Sequence, residues 1–280
     1  MSSRSVRAGG ERIPLARPSI GDGEISAAER ALRSGRLSMG PEGIRFEQHL
    51  AERCARSHAV CVSSGTVALE LAFRAMGLGP GERVLIPAFG FPAAAHAVIS
   101  VGATPVPIDA DPNLWTVDLQ DAERAWKPGT RLLLSIDALG AVAPSAALSS
   151  WASARSVSWI NDAACGLGGI DEDGAPAGSG GTLATLSFHP RKVVTTGEGG
   201  AVVCDDEDLA ERLRQLRNLG QLGGGRFGCV ATNARLAEAS AAVGSAQCAR
   251  LPAMLNERGM LAEGYRRRLA PARDAGRLYW

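Results

Sequence analysis

The segment Ser187-Phe188-His189-Pro190-Arg191-Lys192 sets a hydroxyl five residues ahead of a primary amine, between apolar runs at 183–188 and 201–204. A lysine amine can lose its proton and attack a carbonyl, which an arginine side chain does not do. The chain draws nearly all its positive charge from arginine: of 30 lysines and arginines, only Lys127 and Lys192 are lysine. A lysine kept on a connection between two core strands is a candidate nucleophile, although rarity alone fits a leftover surface residue equally well. Two further groups lie where strands end. Ser63-Ser64-Gly65-Thr66 joins a short apolar strand to a helix. Small residues there admit close approach, and the free N–H groups of a helix start hold phosphate; serine and threonine also simply cap helices. Asp162 follows Ser158-Trp159-Ile160-Asn161 and, taken alone, reads as a turn residue.

Together, a phosphate cradle, a carboxylate and a lysine are the set that pyridoxal 5′-phosphate (PLP) requires. The lysine forms a Schiff base with the cofactor aldehyde, and the carboxylate keeps the pyridine nitrogen protonated so that the ring accepts electrons. Phe89 or Phe91, after Val84-Leu85-Ile86-Pro87, has the shape to stack on that ring and also suits plain core. No metal is expected. The six cysteines, at 54, 61, 165, 204, 229 and 248, form no Cys-x-x-Cys pair and no cluster with histidine, so they read as free and mostly buried.

The elements that must position these groups alternate. Short apolar strands are expected at 59–62, 83–86, 104–108, 131–136, 156–160, 183–188 and 201–204, with helices at 65–77, 91–101 and 119–126 between them. Continuous apolar strands separated by helices indicate an α/β fold, a mostly parallel sheet covered on both faces. Ligands in such sheets bind at the carboxyl ends of the strands, where the three candidate groups fall. Two helices are expected before the sheet, at 20–34 (with Ile25, Ala28 and Leu32 sharing a face) and at 44–55. Residues 1–12 read as disordered. Beyond the last strand a helix starts acidic and ends basic in 205–220, in accord with the helix dipole. A glycine-rich loop follows at 220–228, then one or two long helices over 236–269.

At 280 residues and 29.0 kDa, with 45% hydrophobic and 21% charged residues, the chain is long enough for one large domain and an appendage. A net charge of +1 favours neither nucleic acid nor an acidic membrane surface. The polar start has no apolar signal region and nothing is long and apolar enough to span a bilayer, so the cytoplasm is the expected compartment.

In addition, the chain resembles the DegT/DnrJ/StrS family of PLP-dependent sugar aminotransferases, which have the aspartate aminotransferase (type I) fold. The resemblance runs from about residue 13 to 269 and is carried by SGRLSMGPEGIRFEQHLA, SSGTVALELAFRAMGLGPGERVLIPAFGF, NDAACGLG, SFHPRKVVTTGEGGAVVCDDEDLAERLRQLRNLG and TNARLAEASAAVGSAQCARL. It implies that Lys192 is the Schiff-base lysine and proton shuttle, that Asp162 pairs with the pyridinium nitrogen and that Phe91 stacks on the ring. Gly65, Thr66 and Ser187 would hold the phosphate. Asn233 would reach a neighbouring subunit's phosphate, which implies a homodimer with shared active sites. The implied reaction moves an amino group from an amino acid, commonly glutamate, to a keto-sugar nucleotide or related sugar or cyclitol. It further implies a PLP-binding large domain over 13–235 and, at 236–280, the helical start of a truncated C-terminal small domain.

The chain departs from the family pattern in four places. Cys165 stands where the family usually has glutamine near the cofactor's 3-hydroxyl, which implies weaker support for the ring. Ile136-Asp137-Ala138-Leu139-Gly140 replaces a VHLYG-like stretch, Ala143-Pro144-Ser145 a PADM-like turn, and Gly90 a threonine. These departures and the truncation give the alternative expectation, a catalytically impaired PLP-binding or regulatory homologue that pairs with a full-length subunit.

Overall fold

The computed structural model describes residues 14–278, so the segment expected to be disordered lies outside the described residues. Seven strands form one sheet: β1 (His58–Val62), β2 (Arg83–Pro87), β3 (Thr104–Ile108), β4 (Thr130–Ile136), β5 (Ser158–Asp162), β6 (Leu183–Ser187) and β7 (Gly200–Cys204). Their order is β1-β7-β6-β5-β4-β2-β3, and only β7 runs antiparallel to its neighbours. The helices are α1 (Asp22–Arg33), α2 (Pro41–Arg53), α3 (Gly65–Ala75), α4 (Ala93–Ser100), α5 (Leu119–Ala125), α6 (Ser145–Ala154), α7 (Glu207–Arg217) and α8 (Glu238–Asp274).

Alternation along each strand explains the layers. Val84 and Ile86 face a core shared with Val60, Val62, Ile160 and Val202, closed by Leu69 and Phe73 of α3, Val98 of α4 and Leu213 of α7. Between them Leu85 points the other way, toward Leu133, Trp159 and the α5–α6 residues Ala122, Leu148 and Trp151. On that same side, Leu186 and Val203 meet Phe46 and Leu50 of α2 and Cys248 and Leu251 of α8. Apart from the edge strand β3, the strands are covered on both faces, hence their largely continuous apolar runs. Phe46 packs on Phe188 with ring centroids 4.9 Å apart, which seats the start of the lysine loop on the core. Glu238, at the head of α8, accepts from the N–H groups of Gly40 at 2.9 Å, Glu42 at 2.9 Å and Gly43 at 3.0 Å. It thereby caps α2, whose own N-cap residue, Gly40, has no side chain to do so.

Several expectations are corrected. The buried face of α1 is Glu24, Ala27 and Ala31, while Ile25 and Leu32 are exposed. Alanines let α1 lie close on Ala242 of α8, and Glu24 is held inside by Gln247 Nε2 at 2.8 Å and Arg250 at 2.6 Å. No element is expected between 137 and 155, yet α6 forms there, its apolar residues filling the space under β4 and β5. The strand expected at 156–160 begins two residues later because Ser156, at φ +53°, belongs to the turn after α6. Asp162 is therefore the last residue of β5. The glycine-rich loop folds into a hairpin, β8 (Gln221–Gly223) and β9 (Arg226–Phe227). The last segment is one 37-residue helix with Pro252 and Pro271 inside it. Its first half contributes Ala241, Cys248, Leu251 and Met254 to the core, whereas Met260, Leu261 and Tyr265 are exposed. Among the described residues no helix is long and apolar enough to cross a membrane.

Candidate active site

Strands β1, β2, β4, β5 and β6 all end at one edge of the sheet. Gly200, the first residue of β7, is registered between Val62 of β1 and Ser187 of β6. A Cβ on Gly200 would strike the Ser64 carbonyl, so only glycine lets the two strand ends approach this closely. Gly65 is held to the same standard: its Cβ would lie 2.7 Å from Ser187 Cβ and 2.9 Å from Ser187 Oγ. At the start of α3, Ser64 Oγ accepts from Val67 N–H at 3.2 Å, and the Ser64 carbonyl accepts from Ala68 N–H at 3.0 Å. The N–H groups of Gly65 and Thr66 and the hydroxyl of Ser187 have no partner among the described residues. Two free amides at a helix N-terminus beside a free hydroxyl form an anion cradle.

The loop from Phe188 to Gly199 is braced across its width. Phe188 N–H bonds to Gly199 O at 2.9 Å, and Phe188 O accepts from Thr196 N–H at 3.1 Å and Thr195 Oγ1 at 2.9 Å. Gln247 of α8 accepts from Thr195 N–H at 3.4 Å. Within the loop, Lys192 N–H bonds back to His189 O at 2.8 Å, a tight turn that holds the half-buried Lys192. Its Nζ donates to Cys165 Sγ at 2.9 Å.

Asp162 is buried. Its Oδ1 accepts from Ala164 N–H at 3.1 Å and Thr185 Oγ1 at 3.3 Å, and Oδ2 takes no hydrogen bond among the described residues. Burial pushes the Asp162 carboxyl above its ordinary value, against the pull of Ala164 N–H, the Lys192 charge and Thr185. Its neighbour Asp137 follows β4 and is fully enclosed. Asp137 Oδ1 accepts from Asn161 Nδ2 at 2.9 Å and Ala143 N–H at 3.0 Å, whereas Oδ2 has no partner. Burial raises its carboxyl to about 7; Asn161 and Ala143 oppose the rise, and the charges of Asp162 and Asp171 add to it.

The structure thus brings Lys192, Asp162, Ser187, Gly65, Thr66 and Cys165 to one edge of the sheet. Phe91 stands at the same edge, exposed, while Phe89 packs edge-on against Trp115 with centroids 6.2 Å apart. Gly90 cannot carry the family's threonine without moving Ile136, whose Cδ1 lies 2.6 Å from a Cβ built there. Asn233 is exposed, bridged to Asn218, and adjacent to Ala234, whose carbonyl accepts from Ser63 N–H at 2.9 Å. Two supporting features escape the sequence reading. Thr185 is separated by one residue from Ser187 on β6 and so shares its face, a signal that the strand pattern does contain. The link Trp159–Ser135–Asn161–Asp137, at 2.9, 3.2 and 2.9 Å, crosses two strands and carries no spacing signal.

The model of the DegT/DnrJ/EryC1/StrS aminotransferase family matches residues 18–278. The chain belongs to this family. Within it, the chain is 40% identical over 241 residues to dTDP-3-amino-3,4,6-trideoxy-alpha-D-glucose transaminase of Streptomyces venezuelae, covering 86% of this chain and 63% of that one. It is 34% identical over 262 residues to GDP-perosamine synthase of Caulobacter vibrioides, covering 92% and 70%. Among solved family structures, S. venezuelae DesV superposes with a TM-score of 0.85 at 39% identity, covering 88% of this chain and 67% of DesV. Helicobacter pylori PseC, an aminotransferase involved in the biosynthesis of pseudoaminic acid, gives 0.88 at 25% identity, covering 92% and 71%. The chain therefore shares the fold of these family aminotransferases and spans about two thirds of their length.

Proposed function

We propose that this chain binds PLP at the β1, β5 and β6 ends and moves an amino group from an amino acid, glutamate in the first instance, to a keto-sugar nucleotide. It would work in the cytoplasm as a homodimer with shared active sites. The observation that carries this reading is the convergence of Lys192, Asp162 and the Gly65, Thr66 and Ser187 cradle at one sheet edge. The fit to the cofactor rests on the site's own chemistry. The cradle offers unpaired N–H and O–H donors to a phosphate, and a Cβ on Gly65 would fill it. Asp162 keeps one carboxylate oxygen unpaired for a ring N–H.

Bound there, PLP supplies a carbonyl that takes up amines and a ring that accepts electrons from the substrate carbon. Gly65, Thr66 and Ser187 would hold its phosphate, and Asp162 would keep the ring nitrogen protonated. Phe91 would cover one ring face, and Cys165 would sit beside the ring edge with Lys192. Lys192 Nζ, fixed by its turn, takes a proton from one carbon and returns it to another, the general acid–base part of the reaction. Asn233 would serve the phosphate of a second copy. The relatives' names, a dTDP-amino-sugar transaminase and a GDP-perosamine synthase, support a nucleotide sugar as acceptor. The test is incubation of the purified chain with PLP, glutamate and a panel of keto-sugar nucleotides. An amino-sugar nucleotide forming with 2-oxoglutarate supports the reading. No transfer by a chain that retains PLP on Lys192 would reject turnover and leave the paired, regulatory reading.

A further inference from the structure

Cys54, Cys61, Cys204 and Cys248 are buried, while Cys165 and Cys229 are exposed. Burial pushes the Cys54 and Cys248 thiols up to about 12 and Cys204 to about 11, and it raises Cys61 well above its ordinary value. Since the thiolate is the reacting form, these four are inert near neutral pH. Cys165 and Cys229 remain, and their surroundings differ. Cys229 makes no side-chain hydrogen bond among the described residues. Cys165 has a second nucleophile against it, Lys192 Nζ at 2.9 Å from Sγ.

Both partners are positioned by short backbone turns. Cys165 follows Ala164, whose N–H is bound to Asp162 Oδ1 at 3.1 Å, and precedes Gly166, whose N–H is bound to Ala163 O at 2.9 Å. Gly166 has no room to shift toward the sheet, because a Cβ there would run into Asp137 Oδ2. Lys192 is fixed by its bond to His189 O. With both backbones fixed, sulfur and nitrogen lie at contact, where a neighbouring group competes well against a reagent in solution.

We propose that Cys165 and Lys192 are a modification site: under peroxide they join through a reversible sulfur–nitrogen bond that takes Lys192 out of use. The thiol and hydrogen peroxide give a sulfenic acid at Cys165 and one water, oxidising sulfur and reducing peroxide. Sulfenic acids condense with nitrogen nucleophiles. The Lys192 ammonium first gives one proton to solvent; the neutral amine then attacks sulfur, the S–N bond forms as S–O breaks, and a second water leaves carrying the hydroxyl and one amine proton. The protein has then lost two hydrogens. Two equivalents of an added thiol cleave the S–N bond and return amine and thiol, leaving the reductant as its disulfide. Capture by the adjacent amine also spares Cys165 a second encounter with peroxide, the step that leads to irreversible sulfinic acid. The consequence for function rests on the reading of Lys192 as the cofactor's lysine: link and cofactor then compete for one nitrogen.

The full chain is treated with hydrogen peroxide, with and without prior PLP, then digested and mapped by mass. The expected product is a cross-linked peptide joining Cys165 to Lys192, two hydrogens lighter than its parts. It is reverted by dithiothreitol, absent in Cys165→Ser and retained in Cys229→Ser. In Lys192→Ala the sulfenic acid has no amine partner and is caught by dimedone at Cys165. PLP added first suppresses the link. Cys165 left unmodified, or taken to sulfinic acid with Lys192 unlinked, overturns the proposal. A link that PLP fails to suppress upholds the bond and counts against the cofactor reading alone.

Discussion

Asp137 and Asp162 lie at the ends of neighbouring parallel strands, tied by an Asp137 N–H to Asp162 carbonyl bond of 3.0 Å. Burial is the main force raising both carboxyls, yet their surroundings differ. Asp162 faces a cation, Lys192, and keeps Oδ2 free at the edge where the cradle lies. Asp137 faces two other carboxylates, Asp162 and Asp171, and the thiol of Cys54, and its Oδ2 is sealed without a partner. A buried carboxyl with a cation and an open side can hold charge and do chemistry. One with neither is better neutral. The residue type is the same and both stand at strand ends, Asp162 as the last residue of β5 and Asp137 one residue past β4; the neighbours make the difference.

Substitutions at this edge can break or sharpen that contrast. Lys192→Ala removes the residue proposed as both nucleophile and proton carrier and should lower amino transfer by roughly 10²–10⁴-fold, read as initial rate with PLP in excess. Asp162→Asn keeps the shape but not the charge, and should lower transfer by about a hundredfold with the protein still folded. A rate unchanged in Asp162→Asn would end the distinction between the two aspartates.

Asp137→Asn should act on stability instead. In the unfolded chain this carboxyl ionises near its ordinary 3.8, and in the folded chain at about 7. The unfolded state therefore gives up its proton first. The stability that Asp137 contributes is full below 3.8 and is lost as pH rises through about 7. Between pH 5 and 8 that loss is about 2–3 kcal/mol. The asparagine variant should lack it, so urea denaturation should show the variant gaining on the parent chain as pH rises, with amino transfer unchanged. A difference independent of pH contradicts the account of a neutral Asp137.

The contrast also marks what was legible in the sequence. Lys192, Asp162 and the Ser63–Thr66 turn stand out because each follows an apolar run that can only be a buried strand, and strand ends are where ligands collect. The sheet was legible for the same reason. Asp137 appeared only as a departure from the family pattern, since its character depends on Asn161, Ala143 and Asp171, which no local spacing connects to it. The buried face of α1 was misread because a packed Ala27–Ala31 stripe and an internal Glu24 look polar beside Ile25 and Leu32. α6 was missed where Ala143-Pro144-Ser145 reads as a turn; Pro144 does end the turn, as the N-cap residue of α6.

Smaller effects test the cradle. Gly65→Ala places a methyl group 2.7 Å from Ser187 Cβ, an overpacking that should weaken PLP binding about tenfold, measured by titration with the cofactor. Ser64→Ala removes the cap on Val67 N–H and should cost about 1 kcal/mol of folding stability, with a smaller change in PLP affinity than Gly65→Ala.

The most direct test of the central claim is chemical. The purified chain is mixed with PLP, reduced with borohydride, digested and mapped. The account predicts one pyridoxyl label, on Lys192, lost in Lys192→Ala and not transferred to Lys127. A label on Lys127 alone, or none on a folded chain, would contradict it.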